Sequence, residues 1–356
     1  MTRLKKCTCC INDDTVRKIS FDDNGVCNYC TEYRRIKDTL SDKALMSELF
    51  LERIENIRGK YDYDVALGIS GGKDSIFVLY NLIHKYGLKV RTFTLNNGFL
   101  SDCAKANIDR LVKELGVEHE YIDFDPDLLR RFYRYSMKKW LTPCIACSYI
   151  GYAAMINYTS KVNAGICIHG RSPQQMLRYY GNDVFTAFVD SGMKHHYLTD
   201  VNKLYEELLK SIEDKMDATL MSEVREMLFR DVKENDFREF VSYFLYHPYD
   251  EKSMVAFLRE NISWRPKEEY DHYDCEVHNA AHYIYQCAEG RPHSLPEVST
   301  LVRMGLMSKD EAQAELKSKK YNHAPKEELH RLCDFVSLRP WVITTKARLY
   351  RRFVKK

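Results

Sequence analysis

The sequence predicts an α/β protein: a doubly wound parallel sheet, preceded by a small cysteine-rich module and followed by a helical region. Three observations carry this. Strand-like apolar runs alternate with helical periodicity between residues 63 and 169, two CxxC pairs crowd the N-terminus, and from Lys203 onward apolar residues recur at three and four spacing, as at Leu204, Leu208, Leu209 and Ile212. The expected divisions are 1–35 for the module, 36–200 for the sheet domain and 201–356 for the helical domain.

The 356 residues are 45% hydrophobic and 29% charged, a balance that excludes a disordered chain or a membrane protein. The basic N-terminus lacks the apolar stretch of a signal peptide, so a cytoplasmic protein without a membrane partner is expected. Lys and Arg number 54 against 51 Asp and Glu, too even for the whole chain to be read as a nucleic-acid binder. With twelve cysteines in a reducing compartment, metal binding or chemistry is a better expectation than disulfides.

Cys7 and Cys10 form one CxxC, and Cys27 and Cys30 another. Two such pairs are the spacing of a four-thiolate zinc ribbon, with Lys18 to Phe21 as a short strand and Asp22-Asp23-Asn24-Gly25 as the turn leading to the second pair. Cys9 is the spare thiol. A third CxxC, Cys144 and Cys147, opens a helix that Thr142 caps and Pro143 begins, where the helix dipole is expected to favour thiolate. Cys103, Cys167 and Cys333 are expected to be packing residues.

Tyr63 to Ile69 reads as a buried strand running into Ser70-Gly71-Gly72-Lys73-Asp74-Ser75, with a helix over Ile76 to Tyr86. Strand, glycine turn and helix make an anion site: the glycines admit a phosphate close to the backbone, and the helix's first N–H groups point at it. The spacing is not that of a Walker A loop. Further strands are expected at Lys89 to Leu95, Glu118 to Phe124 and Gly165 to His169, with a helix at Cys103 to Leu115.

SGGKDS after a strand resembles the PP-loop, or N-type, ATP pyrophosphatases. That resemblance implies cleavage of ATP between its α and β phosphates and adenylation of a substrate oxygen. It further implies that Ser70, Gly71, Gly72, Lys73, Asp74 and Ser75 hold pyrophosphate, with Lys73 and Asp74 catalytic and Asp74 on Mg²⁺. Asn96, Asn97 and Gly98 are then expected at the adenosine, and Arg171, in the loop after the fourth strand, at a phosphate. Phe21-Asp22-Asp23-Asn24-Gly25-Val26-Cys27-Asn28-Tyr29-Cys30, and Arg303 to Ala312 with its serine cap at Ser308, resemble the N-acetyl sugar amidotransferases of surface polysaccharide assembly. The central CxxC instead resembles the PP-loop tRNA thiolases, in which it joins a later cysteine to hold an iron–sulfur cluster. Cys275 would be that third ligand, although it lies further from Cys147 than that branch's pattern leads one to expect; Cys167 is a weaker candidate.

The function expected is therefore ATP-dependent adenylating transfer, with sulfur delivered to a small heterocycle or other metabolite through Cys144, Cys147 and Cys275 as ligands of a [4Fe-4S] cluster or as persulfide carriers. The alternatives are an amidotransferase, a tRNA thiolase and a non-catalytic nucleotide sensor. Expected partners are a small-molecule acceptor, a sulfur donor such as a cysteine desulfurase or else a glutaminase subunit, and a second copy of the chain. Lys346, Arg348, Arg351, Arg352, Lys355 and Lys356 could touch tRNA, but termini of this kind are usually solvated. The aromatic run Phe240 to Asp250 is expected to pack in a core.

Overall fold

The computed structural model describes residues 4–16, 18–172, 216–229, 238–265 and 274–353. Leu204, Leu208, Leu209, Ile212, Lys355 and Lys356 lie outside these ranges.

Five parallel strands, β1 (Tyr63–Gly68), β2 (Val90–Leu95), β3 (Glu118–Ile122), β4 (Ala164–His169) and β5 (Glu239–Ser242), form one sheet in the order β3-β2-β1-β4-β5. In register, Leu67 of β1 lies opposite Thr92 on one side and Ile168 on the other. The central strands are covered on both faces, which is why Val65–Leu67 and Ile166–Ile168 read as unbroken apolar runs. Asp64 clamps the strand starts, its carboxylate accepting from the N–H of Gly59 (2.7 Å) and of Lys89 (2.8 Å).

Ahead of the sheet come α1 (Asn28–Ser41) and α2 (Lys43–Ile57). α3 (Lys73–Tyr80) follows β1, and its last turn widens into a π-helical stretch, Asn81–Lys85, where a plain helix was expected. α4 (Asp102–Glu114) joins β2 to β3, and α5 (Pro126–Trp140) and α6 (Cys144–Lys161) lead from β3 to β4. α7 (Ala218–Phe229) precedes β5. After it come α8 (Glu251–Asn261), α9 (His278–Glu289), α10 (Leu295–Arg303), α11 (Lys309–Ser318), α12 (Lys326–Phe335) and α13 (Pro340–Phe353).

α2, α3, α4 and α8 bury one face of the sheet, around Phe50, Val65, Ile76, Leu79, Ile108 and Leu258. Phe50 meets the rings of Tyr86 at 5.2 Å and Tyr243 at 5.6 Å edge-on, so the aromatic run after residue 240 does pack into this core. A second core joins α5, α6 and α7 to α9, α12 and α13 through Phe132, Tyr133, Ile150, Leu228, Ile284 and Leu332.

The region expected to be helical from residue 201 also supplies β5 and α8, both of which pack with the sheet. Phe240, Val241 and Ser242 are buried, the two faces both covered, so the strand carries no alternation that could mark it. Cys103 is exposed rather than packed, because it sits on the outer side of α4's first turn; Cys167 and Cys333 are buried as expected. Among the described residues, no helix is long and apolar enough to cross a membrane.

The N-terminal module leans on the C-terminal helices. Ile11 and Val16 pack with Leu295, Val298 and Ala312, and Arg303 Nη1 donates to Cys10 Sγ at 3.7 Å. Lys18 to Phe21 forms no strand; a single antiparallel bridge joins Phe21 to Cys27, since Lys18 takes a left-handed φ of 56° that interrupts extended backbone. The turn is as expected: Asp22 accepts from Gly25 N–H and Gly25 adopts φ 72°. α11 starts on the Ser308 cap, with Glu311 closing a capping box.

Candidate active site

In an open parallel sheet a ligand crevice forms where the strand order reverses, outside the strands' C-terminal ends. Here β1 leads outward through β2 to β3, and β4 leads the other way to β5, so the crevice lies between the ends of β1 and β4. The SGGKDS loop leaves β1 at that point and His169-Gly170-Arg171-Ser172 leaves β4 beside it.

The loop is built for close approach. Gly71 takes φ +74°, and a Cβ there would meet Ala104 O at 3.0 Å and Ile108 Cγ1 at 3.1 Å. The Gly71 carbonyl is pinned into the protein by Asn107 Nδ2 (2.9 Å) and the Trp264 indole N–H (3.1 Å). In a trans peptide the next N–H points the opposite way, so Gly72 N–H faces the open side. Gly72 begins α3 with no side-chain cap, leaving the positive end of that helix to an anion. Ser75 Oγ lies 3.3 Å from Ser70 N and donates to Gly72 O at 3.2 Å. Thr94 holds the root of the loop, donating to Ile69 O at 2.6 Å. Glycine backbone and an uncapped helix start thus make a cradle open to an anion.

Lys73 Nζ lies 3.8 Å from Asp74 and 3.5 Å from the exposed Glu251, a contact that a bound phosphate can displace. Tyr249 donates to Asp74 Oδ1 at 3.1 Å; burial and that carboxylate push the Tyr249 phenol up, so it remains a donor. Gly170 presses on the same helix start: a Cβ on it would lie 3.1 Å from the Asp74 carbonyl and 3.2 Å from Ser75 Cα.

Arg171 does not extend into solvent. Its guanidinium sits 4.6 Å from the Tyr152 ring centre, and its charge acts on Cys147. The tripeptide after β4 thus connects the phosphate loop to the cysteines. Asn96 turns away to Asp123 (2.7 Å), whereas its neighbour Asn97 donates to Cys147 Sγ at 3.5 Å. Gly98 adopts φ +81° against Phe335.

Cys144 and Cys147 open α6 as expected. Pro143 is the N-cap residue rather than part of the first turn, and Thr142 Oγ1 accepts from Cys144 N–H at 3.2 Å. Cys275 arrives from another part of the chain, bridged to Leu100 just beyond β2. All three cysteines act on the buried Tyr133, which donates to Asn97 O at 3.0 Å. Cys147 and Cys275 both pack into the second core with Tyr133, and Cys144 begins the same helix as Cys147, while Cys167 lies apart, against Tyr152 and Phe240; among the described residues the sulfurs of Cys144, Cys147 and Cys275 do not close on one ion. The expected thiolate at Cys147 is a correction: burial pushes that thiol up, outweighing the Asn97, Tyr133 and Arg171 effects. Burial also pushes Cys275 well above the ordinary thiol range. Free thiols there stay protonated near neutrality, and binding of a metal is what removes such protons.

Sequence reading missed several residues at the site. Asn107 from α4, and Tyr249 and Trp264 from the segments on either side of α8, reach the SGGKDS loop. Tyr133 has no motif, only a helical position on α5. His169 is buried; its Nδ1 accepts from Arg171 N–H (3.2 Å), so Nε2 carries the proton, and that nitrogen has no partner among the described residues. Burial lowers its pKa to about 3, which keeps the ring neutral.

The N-terminal cysteines form the other cluster. Cys7, Cys10, Cys27 and Cys30 place their sulfurs within 4.8 Å of one another, with Cys7–Cys30 and Cys10–Cys27 each 3.8 Å apart. A tetrahedron of sulfurs around Zn²⁺ at about 2.3 Å has edges of about 3.8 Å. The N–H groups of Cys9 (3.3 Å) and Cys27 (3.3 Å) donate to Cys7 Sγ, as they do around metal-bound thiolates. Cys9 stays outside, accepting from Arg34 at 2.8 Å. Protein carrying Cys27→Ser with Cys30→Ser is expected to lose about one equivalent of zinc and to loosen α10 and α11 as well as the module. Metal analysis with hydrogen exchange checks this; wild-type protein isolated without zinc contradicts it.

Among the described C-terminal cations, Lys346 Nζ donates to Lys138 O (2.6 Å) and Arg348 to Tyr283 (3.1 Å), so both are drawn onto the fold.

Neither a family model nor a curated protein matches the sequence. Solved structures do. The U34-tRNA thiolase NcsA from Methanococcus maripaludis, with its [4Fe-4S] cluster, is 14% identical over 94% of this chain and 96% of its own, at a TM-score of 0.37. The NH3-dependent NAD synthetase of Campylobacter jejuni subsp. jejuni NCTC 11168, in complex with the nitrate ion, is 14% identical over 53% of this chain and 95% of its own, at 0.32. NMN synthetase from Francisella tularensis is 14% identical over 52% of this chain and 93% of its own, at 0.27. With all three below 0.5, the chemistry of this chain is read from its own residues.

Proposed function

We propose that the chain is a PP-loop ATP pyrophosphatase that adenylates a substrate oxygen and then replaces it with sulfur. What supports this reading is that Cys147 and Cys275 pack with Tyr133 beside Asn97, just beyond β2, while the loop after β4 sets Arg171 over Tyr152 of α6 and Gly170 against the start of α3.

In the first step the oxygen of an enolisable carbonyl attacks the α-phosphorus of ATP. The bond to the bridging oxygen breaks, and pyrophosphate leaves into the cradle of Gly71 to Ser75. Lys73 and the N-terminus of α3 stabilise the charge that develops there, and Asp74 shares a magnesium ion with the phosphates. In the second step a sulfur nucleophile attacks the activated carbon, the C–O bond breaks and AMP departs. Three cysteine ligands would hold a [4Fe-4S] cluster with one iron open to bind inorganic sulfide. Arg171 offsets the negative charge of that site, and Tyr133 and Asn97 orient its sulfurs.

One observation favours a second reading, amide formation from ammonia supplied by a glutaminase. The two end segments that resemble sugar amidotransferases meet in one apolar cluster, through Tyr29 of the first and Met307 and Ala312 of the second. Under that reading the central cysteines only support the fold.

The test is substitution at the loop's support. Trp264→Phe keeps the ring and removes the N–H that holds Gly71; losing one such bond is worth about 1 kcal/mol, or about fivefold in affinity. ATP titration should show that weakening with the melting temperature nearly unchanged. Undiminished affinity would contradict nucleotide binding in this cradle.

A further inference from the structure

We propose that the seam between the N-terminal module and the C-terminal helices holds a second anion site, which takes the carboxylate or phosphate group of a small metabolite around Arg291. A cavity of about 360 Å³ opens there, between Cys7 to Thr15 on one side and Arg291, Leu295 and α11 on the other. That volume is in the range of metabolite pockets, about 300–1,000 Å³.

Arg291 is only 7% exposed. Its Nε donates to Thr15 O at 3.2 Å, and Nη2 lies 4.0 Å from Glu289. Nη1 has no hydrogen-bond partner among the described residues. A guanidinium keeps its charge in any protein setting, so a buried Nη1 calls for an acceptor rather than for deprotonation.

Lys6, Lys309 and Lys317 line the same cavity, and Asp13 is the one carboxylate among its described lining residues. Asp13 is turned inward, accepting from the backbone N–H and hydroxyl of Thr15. Lys309 donates to Thr8 O and so fixes the module against α11. Cations thus outnumber anions around a buried donor. Ile11, Leu295 and Leu316 add an apolar wall that lowers the local dielectric and strengthens attraction for an anion. The chemistry selects a compact negative group with a short apolar flank. Nothing in this site depends on the ATP reading.

The experiment is equilibrium dialysis of full-length, metal-loaded Lys73→Ala protein against radiolabelled inorganic phosphate or radiolabelled acetate, the background substitution weakening the main loop. About one anion should bind per chain, and the tighter of the two probes identifies phosphate or carboxylate as the preferred group. Arg291→Gln should weaken binding at least tenfold, and Lys6→Ala with Lys317→Ala at least threefold. The lysine variant is at exposed positions and decides the matter if Arg291→Gln fails to fold. Absence of binding at millimolar concentration overturns the site, as does binding that the lysine variant leaves unchanged.

Discussion

Cys275→Ser protein, purified without oxygen, is expected to lose its iron and acid-labile sulfide and to form no thiolated product, while still binding ATP. Cys144→Ser and Cys147→Ser should behave alike. The sulfurs come from α6 and from the strand-like segment after Asp274, so no one element can hold the group alone, and a missing corner leaves it exposed to loss. Serine cannot substitute, because its hydroxyl stays protonated where a metal would draw a thiolate. The effect is a full loss of transfer with nucleotide affinity within about twofold of wild type. Iron analysis and product assay check it. Three serine variants with normal turnover would remove sulfur from the account and leave amide formation from ammonia.

Lys73→Ala and Asp74→Ala should each lower AMP formation by at least about a hundredfold, with cooperative unfolding retained. Removing one group that stabilises developing charge typically costs a factor of about 10²–10³. Lys73 and Asp74 are each about one-fifth exposed and form no part of the apolar core, so the fold has little to lose. Asp74→Asn should lose magnesium dependence before it loses affinity for nucleotide. Measuring AMP release across a magnesium titration separates the two. Unchanged turnover in both alanine variants would contradict the role given to the loop.

The strand, glycine turn and helix around Ser70–Ser75 were legible because their signal is local. Two glycines, a lysine and a hydroxyl follow an apolar strand, and each has a backbone reason to stand there. The ribbon cysteines were legible for the same reason, since each CxxC turn presents two sulfurs at once. What the sequence hid is long-range. Trp264, in the segment after α8, and Asn107, on α4, converge on one carbonyl and carry no pattern of their own. Cys275 was named only through the resemblance to the thiolases; its bridge to Leu100, just beyond β2, is a contact that no spacing from Cys147 could reveal. β5 lies in an aromatic run buried on both faces, so periodicity was silent. At Cys147 the helix dipole was visible and burial was not, and burial is the larger effect.

The fate of α-labelled ATP tests the central claim most directly. With magnesium, a sulfide source and the low-molecular-weight fraction of a cell lysate as the acceptor pool, wild-type protein should release the label as AMP in step with pyrophosphate, and Lys73→Ala protein should release almost none. Label appearing as ADP, or as AMP at equal rates from both proteins, would contradict cleavage between the α and β phosphates in this loop.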